Sequence, residues 1–157
     1  TLTAHPLTES RGAATLVDVV ARNVRIKRGV VVADERERGL RQTLNLGHTV
    51  GHAIESASDF SLGHGSCVAA GLCVIARGSA ALGWCSVQTA GRIERCVAAH
   101  GLPTSTELPT DLLMRYAAHD KKRHGAAVNV VVPREVGRCE VRCVDLDDLR
   151  RLIDLGR

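Results

Sequence analysis

The segment GSCVAAGLCVIARGSAAL, residues 65–82, is apolar or small on nearly every side when it is drawn as a helix. A helix that is apolar all round is typical of the buried centre of a domain. Gly83 follows directly, and glycine at this place commonly ends a helix. We therefore expect a helical domain that is organised around residues 65–82.

The rest of the chain predicts further helices and one pair of strands. Apolar periodicity predicts these helices: one or two within 13–34, one across 39–57, one from the cap Ser86 to before Gly101, one across 110–118, and one after the cap Asp145. The segments AVNVVVP and CEVRCV, joined by REVGR, are typical of a short hairpin. The predicted fold class is mainly α, multi-helical with one small β-hairpin, in a single domain that covers residues 1–157.

Composition restricts the core and the classes of function. Hydrophobic residues make up 45% of the 157, but only Phe60, Trp84 and Tyr116 are aromatic, so aliphatic side chains must fill the core. The net charge of +4 is not arranged as a basic stripe with interleaved aromatics, which argues against nucleic-acid binding. The six cysteines form no CxxC pair, and we see no signal peptide or long apolar run. We expect reduced thiols in a cytoplasmic protein that does not enter a membrane.

The predicted helix 39–57 carries a polar stripe beside its apolar one. At about 100° per residue, four side chains fall within a sector of about 60°. They are Arg41, Asn45, His48 and His52. All four are hydrogen-bonding or metal-ligating types, whereas a solvated surface needs only Lys and Glu. The stripe therefore predicts a binding site, and two ordinary structural histidines are the alternative interpretation.

Two glycines lie in the same predicted helix. Gly47 and Gly51 each weaken a helix by about 1 kcal/mol relative to alanine. Such a cost is explained if another group approaches the backbone closely. We therefore expect a close neighbour at this helix.

A third histidine extends the site. His64, in the motif LGHG, stands just before the buried helix, and a reversal near SDFS would return it to the polar stripe. Neutral imidazoles suit Zn²⁺, Co²⁺ or Fe²⁺. The residues alone leave open a pair formed by His48 and His52 or a set of all three histidines, and Glu55 is a poor carboxylate candidate. A zinc protease of the HExxH type is excluded because Thr49 follows His48.

A longer pattern identifies a family. The run IKRGVVVADERERGLRQTLNLGHTVGHAIE, residues 26–55, followed by LGHG and later by DKK, resembles the C-terminal domain of the 3-dehydroquinate synthase family. The resemblance is close from Lys27 to Lys122 and looser elsewhere. The motif GHTxGHA with a downstream HG would by itself indicate the broader sugar phosphate cyclases. The resemblance implies the helical C-terminal domain of that fold, with an N-terminal NAD-binding domain outside this chain.

The resemblance also implies roles for single residues. A zinc or cobalt ion would be held by His48, His64 and a glutamate upstream of this chain. His52 would be a second active-site histidine that contacts substrate or a neighbouring ligand. Substrate and phosphate contacts would come from Lys27, Arg41, Asn45, and from Lys121 or Lys122. The family commonly has Glu and Ala after this HG, where Ser66 and Cys67 stand here, so we expect different hydrogen bonding near His64.

The implied reaction converts 3-deoxy-D-arabino-heptulosonate 7-phosphate to 3-dehydroquinate and phosphate, in the shikimate pathway of aromatic amino acid biosynthesis. NAD would accept and return a hydride, so the complete enzyme would be a carbon–oxygen lyase, and we expect it to be a homodimer. This chain alone is expected to be inactive. The alternatives are a related cyclase, making 2-deoxy-scyllo-inosose or 2-epi-5-epi-valiolone, and a non-catalytic helical interaction module.

Overall fold

The computed structural model describes residues 7, 13–119 and 127–157 as a set of packed helices with one hairpin. The helices are α1 (Ala13–Ala33), a 3₁₀ helix (Leu40–Asn45), α2 (His48–Ala57), α3 (His64–Ala81), α4 (Val87–Ala99), α5 (Thr110–His119) and α6 (Leu146–Gly156). Strands β1 (Ala127–Glu135) and β2 (Arg138–Asp145) pair antiparallel, with a register shift between Pro133 and Glu135. The predicted fold class, mainly α with one small hairpin, is confirmed.

Helix α3 lies at the centre, as its apolar sequence predicts. It packs against α2, α4 and α6, and its residues Val74, Ile75 and Ala76 are fully buried. The same core continues into α5, α6 and β1 through aliphatic side chains: Leu113, Val130, Val132, Leu149, Leu152 and Ile153. Burying a Val, Leu or Ile side chain contributes about 1.5–3 kcal/mol. Aliphatic packing around α3 therefore stabilises the fold.

Side-chain caps fix two of the predicted helix starts. Ser86 accepts a hydrogen bond from the backbone N–H of Thr89 at the start of α4, at 3.1 Å. Asp145 accepts one from the N–H of Asp148 at the start of α6, at 2.7 Å. Each cap satisfies an N–H that has no partner within the helix and contributes about 1 kcal/mol. Both predicted caps are confirmed.

The continuous helix predicted across residues 39–57 is wrong in its first half, because a separate 3₁₀ helix precedes α2. Between the two helices the chain is extended at Leu46 and left-handed at Gly47, whose φ is 84°. These backbone angles end one helix before the next begins. Consequently Arg41 and Asn45 lie on the 3₁₀ helix, and the predicted continuous stripe is not formed.

Glycines bring α2 and α3 into backbone contact. A Cβ on Gly51 would lie 2.9 Å from Cα of Val68, and a Cβ on Gly71 would lie 2.5 Å from both the carbonyl oxygen of Gly47 and the amide nitrogen of Gly51. Any larger side chain would push the two helices apart. The close neighbour predicted from Gly47 and Gly51 is therefore confirmed, and it is α3.

Helix α1 lies on the outside of this core. It packs mainly against the 3₁₀ helix. Its exposed side chains include several large apolar ones: Val17, Val20, Val24, Ile26 and Val32. Across residues 13–119 and 127–157, none of the helices combines the length and the apolar character that crossing a membrane requires. The exposed apolar side chains of α1 show that this surface is left uncovered by the other described elements.

Candidate metal centre and adjoining cleft

Three histidine rings come together where α2 and α3 begin. His48 is the first residue of α2, His52 lies one turn later, and His64 is the first residue of α3. The ring centroids are separated by 5.3 Å for His48 and His52, 5.5 Å for His48 and His64, and 5.6 Å for His52 and His64. One potential ligand nitrogen from each ring lies within 4.8 Å of the others. The close packing of α2 on α3 is what brings the ring of His64 to the other two.

The spacing of these nitrogens fits a single divalent cation. Zn–N bonds of about 2.0–2.1 Å at tetrahedral angles place two ligand nitrogens about 3.4 Å apart. The distances between the ligand nitrogens would have to shorten by little more than about 1 Å. Side-chain rotation allows this because His52 and His64 are exposed. Neutral imidazole is also a preferred ligand of zinc and cobalt. The residues present can therefore hold such an ion.

Two of the rings are oriented by hydrogen bonds at Nδ1. Nδ1 of His48 lies 3.2 Å from the carbonyl oxygen of Leu46, and Nδ1 of His64 lies 3.1 Å from Oε2 of Glu55. A carbonyl and a carboxylate can only accept, so Nδ1 carries the proton in each neutral ring. In both rings Nε2 is then the nitrogen with a free lone pair.

A cleft of about 1140 Å³ opens beside the histidines. Its lining comes from the 3₁₀ helix, α2, α5 and β1, and includes Asn45, His48, His52, Arg115, Tyr116 and Asn129. The cleft combines apolar walls with amide, imidazole and guanidinium groups. Such a combination is typical of sites for small polar molecules.

The predicted anion-binding residues of the 3₁₀ helix are both engaged with the segment before it. Nδ2 of Asn45 donates to Oε1 of Glu37 at 2.9 Å. The guanidinium of Arg41 donates to the carbonyl oxygen of Glu35 at 2.8 Å, and its Nε lies 3.9 Å from Oε2 of Glu37. Asn45 and Glu37 line the cleft, whereas Arg41 is not among the residues that line it. Arg41 must therefore leave its partners to reach an anion in the cleft.

The loop before the 3₁₀ helix is fixed by Asp34. Its carboxylate accepts hydrogen bonds from the backbone N–H groups of Arg38, Gly39 and Arg41 at 2.8–3.0 Å. These bonds favour the charged form, the one from Arg41 most, and they lower the pKa of Asp34 below its ordinary value. Asp34 therefore stabilises this turn through its carboxylate, while Glu35 contributes its backbone carbonyl as an acceptor for Arg41.

Of the three lysines that the resemblance singles out, only Lys27 lies among the described residues. Lys27 is exposed on α1 and is not among the residues that line the cleft. Lys121 and Lys122 lie outside the described residues. Of the three, the structure thus places only Lys27, and it places Lys27 outside the cleft lining.

Sequence reasoning missed the residues that α5 and β1 contribute to the cleft. Arg115 and Tyr116 stand more than fifty residues after His64, so no local spacing connects them with the histidine motif. The only signal in the sequence is that the charged Arg115 follows the apolar Leu113 and Met114, and the structure shows these two buried and Arg115 exposed. That pattern indicates exposure but not the neighbour across the cleft.

Comparison with known proteins shows which family the chain resembles. The family described as 3-dehydroquinate synthase C-terminal matches residues 3–123. A 3-dehydroquinate synthase of Dehalococcoides mccartyi is 39% identical over 130 residues, which are 82% of this chain and 36% of that protein. The pentafunctional AROM polypeptide of Komagataella phaffii is 36% identical over 150 residues, covering 86% of this chain and 10% of the polypeptide. The chain thus spans little more than a third of the synthase it resembles.

Solved structures share the fold. A 2-epi-5-epi-valiolone synthase from Streptomyces hygroscopicus subsp. jinggangensis, with NAD⁺ and Zn²⁺ bound, superposes with a TM-score of 0.73 at 21% identity, over 88% of this chain and 39% of that one. A 2-deoxy-scyllo-inosose synthase, complexed with carbaglucose-6-phosphate, NAD⁺ and Co²⁺, superposes with a TM-score of 0.63 at 20% identity. The match covers 77% of this chain and 36% of that one. At these identities the likeness is one of fold. With the match across residues 3–123, it follows that this chain belongs to the 3-dehydroquinate synthase C-terminal family.

Proposed function

We propose that this chain is the metal- and substrate-binding domain of a 3-dehydroquinate synthase. The complete enzyme would convert 3-deoxy-D-arabino-heptulosonate 7-phosphate to 3-dehydroquinate and phosphate, as a carbon–oxygen lyase of the shikimate pathway. The observation that carries the proposal is the meeting of His64 with His48, which lines the cleft, in a chain of this family. The 39% identity to a protein named for this activity favours it over the other cyclases.

The proposed metal ligands in this chain are His48 and His64. Their Nε2 atoms are available, and a glutamate from a preceding part of the protein would complete the site. The bound zinc or cobalt ion would polarise a substrate oxygen, and NAD would accept and return the hydride. His52, whose ring centroid lies within 5.6 Å of both other rings, would hydrogen-bond a substrate oxygen at the same place.

The cleft would bind the anionic groups of the substrate. Arg115 is exposed in its lining, and a guanidinium offers two parallel donors to a phosphate or carboxylate. Asn45 would supply an amide from the 3₁₀ helix. Arg41 would release its contact with Glu37 and bind the substrate instead. Lys27 and one of Lys121 and Lys122 would add ammonium groups.

The proposed partner of this domain is an N-terminal NAD-binding domain of the same protein. Two observations support it: the chain spans 36% of the Dehalococcoides synthase, and α1 exposes a row of large apolar side chains. The full-length protein would be a cytoplasmic homodimer. The 157-residue chain alone would not turn over substrate, because the proposed nucleotide-binding domain and the proposed third ligand would be supplied by another part of the protein.

The test is a substrate comparison with the full-length protein that contains this chain. Purified protein with NAD⁺ and Zn²⁺ is given the heptulosonate phosphate, glucose 6-phosphate or sedoheptulose 7-phosphate, and phosphate release and the cyclic product are measured. We expect turnover of the heptulosonate phosphate only. Turnover of one of the other two sugars instead would assign the protein to an inosose or valiolone cyclase, and turnover of none would support a non-catalytic module.

A further inference from the structure

We propose that Glu55 is a positioning residue of the metal centre, which holds His64 in the Nδ1–H tautomer so that Nε2 faces the cation. The backbone carbonyl of Leu46 does the same for His48. The inference rests on the proposed function, since it concerns the same metal centre. It assigns a role to a carboxylate that the sequence offered only as a poor candidate ligand.

The position of Glu55 on α2 makes this contact possible. Residues 48, 52 and 55 are spaced four and three apart, so they lie on one face of the helix. The last of them stands beside the start of α3, where Oε2 of Glu55 lies 3.1 Å from Nδ1 of His64. The carboxylate is 18% exposed while the imidazole is 53% exposed. The acceptor is thus held by its surroundings, and the ring is the part that it orients.

The hydrogen bond decides which nitrogen can bind a cation. The two nitrogens of a neutral imidazole are distinct, and the proton resides on the one that donates. With Nδ1–H donating to Glu55, the lone pair of His64 is on Nε2, and the anionic acceptor makes that nitrogen a stronger base. With Oε2 on Nδ1 of His64, Glu55 would act on the ion through this ring and not as a ligand.

His48 has the same tautomer, but its acceptor is a backbone carbonyl. Its Nδ1 lies 3.2 Å from the carbonyl oxygen of Leu46, the extended residue between the 3₁₀ helix and α2. In both rings, therefore, Nε2 is the nitrogen with the free lone pair. A main-chain acceptor fixes the tautomer of His48, and a side-chain acceptor fixes that of His64. Only the second can be removed by substitution, which makes Glu55 the testable member of the pair.

The neighbouring thiol does not compete for the ion. Cys67 is buried one turn after His64, and its Sγ donates to the carbonyl oxygen of Leu62 at 3.8 Å. Burial raises the pKa of this thiol, and the negative charge of Glu55 raises it further. A thiol whose pKa is raised stays protonated at neutral pH, and the protonated form is a poor metal ligand.

The first experiment measures Zn²⁺ affinity of the 157-residue chain by titration against a chelating competitor. We expect Glu55→Ala to weaken binding by roughly 10- to 100-fold. Glu55→Gln keeps an acceptor oxygen without the charge and should lie between that variant and the unaltered chain. Glu107→Gln, an exposed site with the same change of charge, should leave the affinity unchanged. Equal affinities in all four proteins would overturn the proposal.

The second experiment reads the tautomer directly, by ¹⁵N chemical shifts of the imidazoles in the metal-free chain. We expect His64 as the Nδ1–H form, shifting towards Nε2–H in Glu55→Ala. An Nε2–H ring in the unaltered chain would overturn the proposal, whether or not the variant folds by circular dichroism. The two failures can be told apart: absent Zn²⁺ binding contradicts the proposed metal ligands, whereas an Nε2–H ring contradicts only the role of Glu55.

Discussion

Gly71 of α3 lies so close to Gly51 of α2 that a Cβ on Gly71 would stand 2.5 Å from the Gly51 amide nitrogen. Real Cβ atoms do not approach backbone at this distance, so the two helices touch only because both positions lack a side chain. This contact sets the separation of the two helices. It therefore also sets the separation of His48 and His64, which are their first residues.

Gly71→Ala is expected to destabilise the protein by about 1–3 kcal/mol, because the added methyl group forces the two helices apart. The free energy of unfolding in urea measures the effect. Gly65→Ala is the control, since a Cβ there meets nothing within 4 Å and the change should be neutral or stabilising by up to about 1 kcal/mol. Equal stability of Gly71→Ala and the unaltered chain would show that α2 and α3 are not in this contact.

Asp34→Asn is expected to loosen the loop before the 3₁₀ helix in a pH-dependent way. Hydrogen bonds from backbone N–H groups lower the pKa of Asp34 in the folded protein, so its stabilisation is fully present above the ordinary value of 3.8. It is lost as the pH falls through the lowered folded value. The difference in unfolding free energy between the two proteins should therefore be largest at neutral pH and shrink below pH 3.8.

The matched control for that experiment is Glu35→Gln, because the Glu35 carboxylate accepts none of the three backbone bonds that Asp34 receives. Its stability should follow that of the unaltered chain at each pH. If the difference caused by Asp34→Asn stayed constant down to about pH 2, the hydrogen bonds to the ionised carboxylate would not be its source.

The cysteines are expected to differ strongly in reactivity. Cys73 is fully buried in α3, and burial raises its pKa to about 11, whereas Cys143 is exposed on β2. Because the thiolate is the nucleophile, Cys73 should resist alkylation at about pH 8 while Cys143 reacts. Pulsed alkylation followed by mass spectrometry reports both sites. Labelling of Cys73 as fast as Cys143 in the folded protein would contradict its place in the core.

Arg115→Met in the full-length protein is expected to raise KM for the sugar phosphate about tenfold, the loss of a charge-assisted hydrogen bond worth about 1.5 kcal/mol. Steady-state kinetics measures this, and the affinity for Zn²⁺ should not change. Arg92→Met, an exposed position on α4 outside the cleft lining, is the control. An unchanged KM for Arg115→Met would remove that residue from the substrate site.

Features with local causes could be predicted from the sequence. The buried helix follows from the apolar run 65–82, and the starts of α4 and α6 follow from Ser86 and Asp145, whose side chains bond within three residues. The break before α2 could not be predicted, because a helical glycine and a left-handed one look alike in sequence. Packing against α3 decides that Gly47 is the left-handed one.

The site was predictable only in part for the same reason. The spacing of His48 and His52 indicates a shared face, but it does not distinguish a ligand pair from a ligand beside a substrate-binding residue. The approach of His64 depends on the path of the intervening loop, and the place of Arg115 depends on how α5 packs on α2. Such relationships are tertiary and leave no periodic signal.

The most direct test of the account is Zn²⁺ binding by the 157-residue chain and its single-histidine variants, measured by competitive titration. We expect one equivalent to bind to the unaltered chain, with affinity falling at least about 100-fold in both His48→Ala and His64→Ala. His100→Ala, at the distant end of α4, should bind as the unaltered chain does. Undiminished affinity in either His48→Ala or His64→Ala would contradict the claim that these two imidazoles hold one cation.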